Sequence, residues 1–148
     1  ELKASGYTHS CFGDIFLEDL REYRETKLAS VGLKAVFPIW QVDTTELINR
    51  FIDLGFKAMV ICINANLLPK SFCGRIIDRS FINDLPEHID PCGENGEFHT
   101  FCFDGPIFKK PVDFAKGELV YKTYPAPKSE AQTEPEEYGY WFCELVEP

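Results

Sequence analysis

Apolar positions along this chain recur with a helical period in its first half and a strand period in its second. Glu1-Leu-Lys-Ala-Ser-Gly6 has the form of a last helical turn closed by a C′ glycine. Tyr7 to Phe12 then reads as a short strand, and Gly13-Asp14 as a strand-to-helix turn. From Ile15 to Val31, Phe16, Leu20, Tyr23 and Val31 lean one way, with Leu17 and Leu28 widening the stripe, which predicts an amphipathic helix. Gly32 ends it, Leu33 to Phe37 reads as a second strand, and Pro38 closes that strand. Asp43-Thr-Thr-Glu46 has the spacing of a capping box with aspartate as the cap. Leu47, Ile48, Phe51 and Ile52 then form the buried stripe of a short helix ending at Gly55, and Lys57 to Ile63 is a third strand. The order β-α-β-α-β implies right-handed crossovers and a mostly parallel sheet.

The pattern changes after Asn64. Pro69 to Arg75 reads as a loop or short turn, and Asp78 to Leu85 as one or two helical turns stopped by Pro86. A strand runs to Phe103, and Val112 to Phe114 and Glu118 to Tyr124 follow as strands separated by a Lys-Gly turn. Residues 125–139, rich in proline, acids and amides, predict an exposed, mobile loop. Tyr140 to Leu145 is apolar enough to return as a final strand. The fold class expected is therefore α/β first and antiparallel β later.

Between Asp90 and Phe108 the chain concentrates its candidate chemistry. Two prolines bracket acids, an amide, a histidine and three glycines. Asn95-Gly96 is a dipeptide that readily turns a chain through positive φ. Beyond it, alternation sets Glu97, His99, Phe101 and Phe103 on one side and Phe98, Thr100 and Cys102 on the other. Glu97 and His99 would then stand about 7 Å apart, a gap suited to one polar ligand group. The competing reading is a hairpin whose acids face water. Gly93 and Gly96, on either side of Glu94 and Asn95, favour close approach of backbone to a ligand. In the first half, Asp14 is placed either to meet a ligand at a strand end or to cap the next helix. Arg21 and Arg24 share a helix face, where they hold either an anion or the neighbouring glutamates.

Composition narrows the classes. The 148 residues are 45% hydrophobic and 14% aromatic, which describes a globular chain with a core. The net charge of −9, with no basic block, argues against nucleic acid as a partner. No apolar run approaches the roughly 20 residues of a membrane span, so no membrane partner is expected. The six cysteines form no CxxC pair, which points away from a disulfide framework or zinc ribbon and towards a cytoplasmic location. A site from Cys92, His99 and Cys102 lacks the paired spacing of structural zinc, and no metal is expected.

Here the residues carry a resemblance. GENGEFHTF (93–101) followed by DGPIF (104–108) resembles the signature of the diphthine–ammonia ligase family, the PP-loop or N-type ATP pyrophosphatases. Gly13-Asp14-Ile15 before an Arg-rich helix, Phe37-Pro-Ile-Trp40 and Leu54-Gly-Phe-Lys-Ala58 resemble the same family, in order from about residue 1 to residue 122. Archaeal and eukaryotic members read closer to GEGGEFET. Asn95 and His99 depart from that pattern, and the variant is similar to the bacterial branch. The resemblance implies the end of a HUP/Rossmann-like parallel-sheet domain, residues 1–31, followed by a smaller α+β C-terminal domain, residues 32–148, that binds substrate. The family's SGGKDS-type phosphate loop is absent from these residues, so the resemblance implies the C-terminal portion of a longer enzyme, inactive alone.

For that enzyme the resemblance implies carboxylate adenylation by ATP with magnesium, then attack by ammonia, on a small molecule or a modified-histidine protein. No nucleotide is expected to bind tightly to this chain itself, and a homo-oligomer is compatible with the reading. Glu94 and Glu97 would hold the ammonium side, Asn95 would orient a carbonyl or carboxamide, and His99 would shuttle a proton. Gly93, Gly96, Thr100 and Trp40 would line the substrate, while Gly13, Asp14, Arg21 and Arg24 would face the nucleotide. Trp40 and Phe98 are candidates for an aromatic wall against diphthine's trimethylammonium group, or Trp40 is simply core. Two other classes remain open. One is a non-catalytic recognition or oligomerisation module. The other is a metal hydrolase using His88 and His99, whose spacing is neither HxH nor HxxxH.

Overall fold

The computed structural model describes residues 3–125 and 137–148. The fold is α/β, and the chain divides into two compact units, residues 1–46 and 47–148. In the first, β1 (His9–Cys11) pairs in parallel with β2 (Lys34–Val36), joined by α1 (Glu18–Ser30). Gly32, at φ +72°, ends α1: its N–H meets the Ala29 carbonyl and that of Leu33 meets Leu28, the paired bonds of a Schellman cap. The apolar stripe expected on this helix is not buried. No α1 residue falls in the core, and Tyr23 in the middle of the helix and Phe16 and Val31 just outside it are exposed. Two three-residue strands make too small a sheet to cover such a stripe.

Helix α2 (Thr44–Asp53) starts as the sequence predicts, with the Asp43 carboxylate accepting the Glu46 N–H at 2.8 Å. Gly55, at φ +82°, closes it with a second Schellman pair, Gly55 N–H to Ile52 and Phe56 N–H to Phe51. Its inner face joins the one large core of the 47–148 unit, built from Ile48, Met59, Val60, Ile63, Leu68, Phe72, Ile77, Phe81, Ile89 and Phe98. A 3₁₀ turn (Lys70–Phe72) and α3 (Arg79–Asp84) supply several of these, α3 being capped by Asp78 through the Phe81 N–H at 2.7 Å.

The sheet of this unit corrects one expectation. Strand β3 (Lys57–Asn64) is not a third parallel strand. It lies in a four-stranded antiparallel sheet of order β4-β3-β6-β5, with β4 (Phe98–Asp104), β5 (Ala115–Pro125) and β6 (Glu137–Val146). An unbroken apolar run reports burial on both faces and not the direction of its neighbours. One edge of β3 takes β4; the other is shared between β6 at Cys62 to Asn64 and the segment around Ile76. Val112 to Phe114 is not a strand, and Lys116-Gly117 is no turn but lies within β5 at a bulge opposite Glu144. The absent side chain of Gly117 lets the bulge sit against β6, since a Cβ there would lie 3.0 Å from Glu144 Cβ. Of the loop expected over residues 125–139, Pro125, Glu137, Tyr138 and Gly139 are paired strand residues, and 126–136 lie outside the described residues.

All six cysteines are free thiols, and Cys62, Cys73 and Cys143 are buried. Burial pushes each of these thiols up, Cys73 to about 11, where neighbouring Cys143 and Cys62 add to the effect and Lys116 and Lys70 oppose it. A thiol that holds its proton more tightly when folded contributes stability below its unfolded pKa and loses that contribution as pH climbs towards the folded value. Iodoacetamide under native, mildly alkaline conditions is expected to label exposed Cys11 and leave Cys62, Cys73 and Cys143 unmodified until the chain is denatured. Peptide mass spectrometry reads this directly, and equal labelling of all four would contradict the packing. Among the described residues no helix is long and apolar enough to cross a membrane.

Candidate functional site

The loop from Asp90 to Glu97 is held by two of its own carboxylates, those of Asp90 and Glu97. Asp90 Oδ1 accepts the N–H of Cys92 at 2.8 Å and of Glu94 at 3.4 Å, and its backbone carbonyl accepts the Gly93 N–H at 2.9 Å. Glu97 Oε1 accepts the Asp90 N–H at 3.1 Å and Asn95 Nδ2 at 3.2 Å, while its Oε2 accepts the Asn95 N–H at 2.9 Å. The Gly96 N–H goes to the Gly93 carbonyl, and Pro91 has none to give. Every amide donor from Asp90 to Gly96 is therefore engaged within the loop, which offers a ligand acceptors and negative charge but no backbone donors.

The glycines make this shape possible. Gly93 stands at φ +72°, and a Cβ there would lie 2.9 Å from the Phe98 carbonyl oxygen and 3.1 Å from its ring. The turn at Asn95-Gly96 takes its positive φ at Gly96 alone, +82°. Glu97 lies just outside β4 and is 3% exposed. Its backbone carbonyl accepts the Asn64 N–H at 2.9 Å, which ties the loop to β3. Because its carboxylate turns back into the loop, Glu97 does not stand beside His99 as the alternation predicts. His99 and Thr100 are exposed on β4, opposite Cys62 and Val60, with a bulge in β3 between those two partners. Phe98 is 3% exposed and packs edge-on against Phe81, so it forms no wall for a ligand.

Trp40, Gly13, Asp14, Arg21 and Arg24 belong to the 1–46 unit. Asp14 is not a helix cap; α1 starts after Leu17 with no side-chain cap. Its buried carboxylate instead grips Arg24, Nε to Oδ2 at 2.6 Å and Nη2 to Oδ1 at 3.2 Å. The Arg24 guanidinium lies 4.4 Å from the Phe12 ring centre. Arg21 pairs with Glu25 at 2.9 Å and lies over Trp40 at 4.6 Å and Phe37 at 5.1 Å. Trp40 also meets Phe37 edge-on and lines an open groove of about 400 Å³ with Glu18, Arg21, Glu22, Glu25 and Gln41. Gly13 is exposed, and a Cβ there would meet nothing within 4 Å. Both arginines are thus paired with carboxylates and lie against aromatic rings.

Sequence reasoning passed over Asp90 as a site residue, although an aspartate before Pro-x-Gly is the signal of a side chain that caps its own following amides. Among the described residues no three His, Cys, Asp or Glu side chains gather to hold a metal ion.

The Asp90–Glu97 loop, with α3 before it and β4 after it, falls within residues 43–126, which match the family model described as diphthamide synthase C-terminal domain. Curated relatives are named diphthine–ammonia ligase. The Schizosaccharomyces pombe protein is 30% identical over 109 residues, covering 68% of this chain and 18% of its own length. The Danio rerio protein is 30% identical over 110 residues, covering 70% of this chain and 43% of its own length. For the Homo sapiens protein the figures are 28% over 110 residues, 68% and 41%. The chain spans less than half the length of each of these relatives. A match over more than half of its residues, with the loop inside it, makes this chain a member of the diphthamide synthase C-terminal domain family.

Proposed function

We propose that this chain is the C-terminal part of an ATP-dependent amide ligase of the diphthine–ammonia ligase kind, and that the Asp90–Glu97 loop receives ammonium. The observation that carries the reading is the complete internal use of the loop's amide donors. A loop with free amides would suit a phosphate or carboxylate; one that presents only acceptors and carboxylates suits a cation that donates hydrogen bonds. In this reading Glu94 meets the ammonium, Asn95 and Thr100 orient the acceptor substrate, and Gly93 and Gly96 keep the backbone close. Glu97 acts through the loop it holds. His99 takes one proton from ammonium, leaving neutral ammonia with its lone pair free to attack. The substrate is a small molecule or a protein bearing a modified histidine. Because Arg21 and Arg24 are already paired, ATP handling is assigned to the portion of the relatives that this chain does not match. The same pairing favours, as second reading, a recognition module without chemistry of its own.

Steady-state kinetics of a full-length enzyme carrying this domain separate the two readings. His99→Ala is expected to lower ammonia-dependent kcat by about a hundredfold, and Glu94→Gln to raise KM for ammonium by about tenfold. Exchange of labelled pyrophosphate into ATP should be unchanged in both. If exchange falls in step with amide formation, or neither variant alters ammonium use, the ammonium assignment fails and the module reading stands.

A further inference from the structure

Among the described residues β5 is the outermost strand of its sheet, with β6 on one side and no strand on the other. An edge of this length presents N–H and C=O groups that another strand can pair. We infer that this edge is a self-pairing interface whose partner is a second copy of the same chain, docked antiparallel about a twofold axis through Val120.

Twofold pairing about one residue sets positions equally far before and after it opposite each other. Around Val120 this places Val120 against its own copy, Leu119 against Tyr121 twice, and Glu118 against Lys122 twice. Each cross-strand pair is thus apolar with apolar or acid with base, and the symmetry doubles both. Other registers lack this match. An axis through Tyr121 sets Val120 against Lys122, and one through Lys122 sets two lysines face to face. Charge therefore selects one register for the edge. The side chains are available for it: Glu118, Tyr121 and Lys122 are exposed, and Leu119 and Val120 are half-buried. Tyr121 is already steadied by Trp141, 5.0 Å away between ring centres, and Lys122 lies over Phe142 at 5.4 Å, so little freedom remains to be lost on docking. The bulge at Gly117-Glu118 bounds the interface, leaving a short self-limited pairing in place of an open-ended one.

Sedimentation equilibrium of the 148-residue chain over a concentration series tests this. The unmodified chain should dimerise. Glu118→Lys or Lys122→Glu alone puts two like-charged pairs across the axis and should weaken the dimer about tenfold or more. The double variant Glu118→Lys with Lys122→Glu restores opposite charges and should return to within about threefold of the unmodified chain. A monomer throughout, a dimer indifferent to either single reversal, or no rescue in the double variant overturns the inference. Hydrogen exchange in the unmodified chain gives an independent reading: the amides between Glu118 and Lys122 should exchange more slowly as concentration rises, and exchange independent of concentration counts against the interface.

Discussion

Replacing Glu97 with alanine is expected to lower the free energy of unfolding by about 3–5 kcal/mol. The carboxylate is buried and accepts three hydrogen bonds, from the Asp90 N–H, the Asn95 N–H and the Asn95 side chain. Alanine removes all three acceptor contacts at once and leaves donors that the loop has no other means of satisfying, since Asp90 is already occupied with Cys92 and Glu94. Hydrogen bonds to a charged group contribute about 1.5–3 kcal/mol each, and shared context makes their sum less than additive. Glutamine keeps the shape and one acceptor oxygen, so Glu97→Gln is expected to cost about half as much. Urea denaturation with an unchanged slope provides the number. A loss below about 1 kcal/mol for alanine would mean that the carboxylate does not hold the loop.

Phe81→Ala is expected to cost about 3–5 kcal/mol. The ring is fully buried and meets Phe72 and Phe98 edge-on, each at 5.6 Å between centres. The Arg75 guanidinium lies 5.5 Å from it as well. Truncation leaves a cavity that the two buried rings beside it cannot close, which is the condition under which large-to-small changes cost most. Phe98 follows Glu97 directly, so the cavity opens beneath the loop's last residue. The two substitutions are therefore expected to be coupled, with the Phe81→Ala/Glu97→Ala double variant less destabilised than the sum of the singles. A Phe81→Ala cost under about 2 kcal/mol would show that the site collapses to fill the space.

How much of this was legible in sequence depended on whether the signal was local. Asp43 as a helix cap, and Gly32 and Gly55 as helix ends, rest on contacts within a few residues, and the structure places them where the spacing predicts. The strand at Tyr140 to Leu145 was visible because it is too apolar for anywhere else. The partners of β3 were not visible, because Ala58 to Ile63 is apolar on both faces and says nothing of who lies beside it. At the candidate site, Asn95-Gly96 announced a turn and the alternation after it announced a strand. Glu97 escaped that alternation because the strand begins one residue later, at Phe98, and three donors in the loop compete for its carboxylate. The pairing of Asp14 with Arg24 joins a residue of the β1–α1 connection to one on α1, and spacing alone leaves it undetermined.

The position of β3 inside its sheet also orders the folding of the 47–148 unit in time. Ile63 faces Phe98 on one side and Trp141 on the other, so its two neighbours arrive from points far apart along the chain. Such pairings carry a large loop-closure cost before they contribute anything, which slows the search for the native sheet. While the chain is being synthesised, the apolar run from Ala58 to Ile63 emerges well before β6 exists to cover it. Helix α2, whose cap and end are both local, is the nearest element able to shelter that run in the interval.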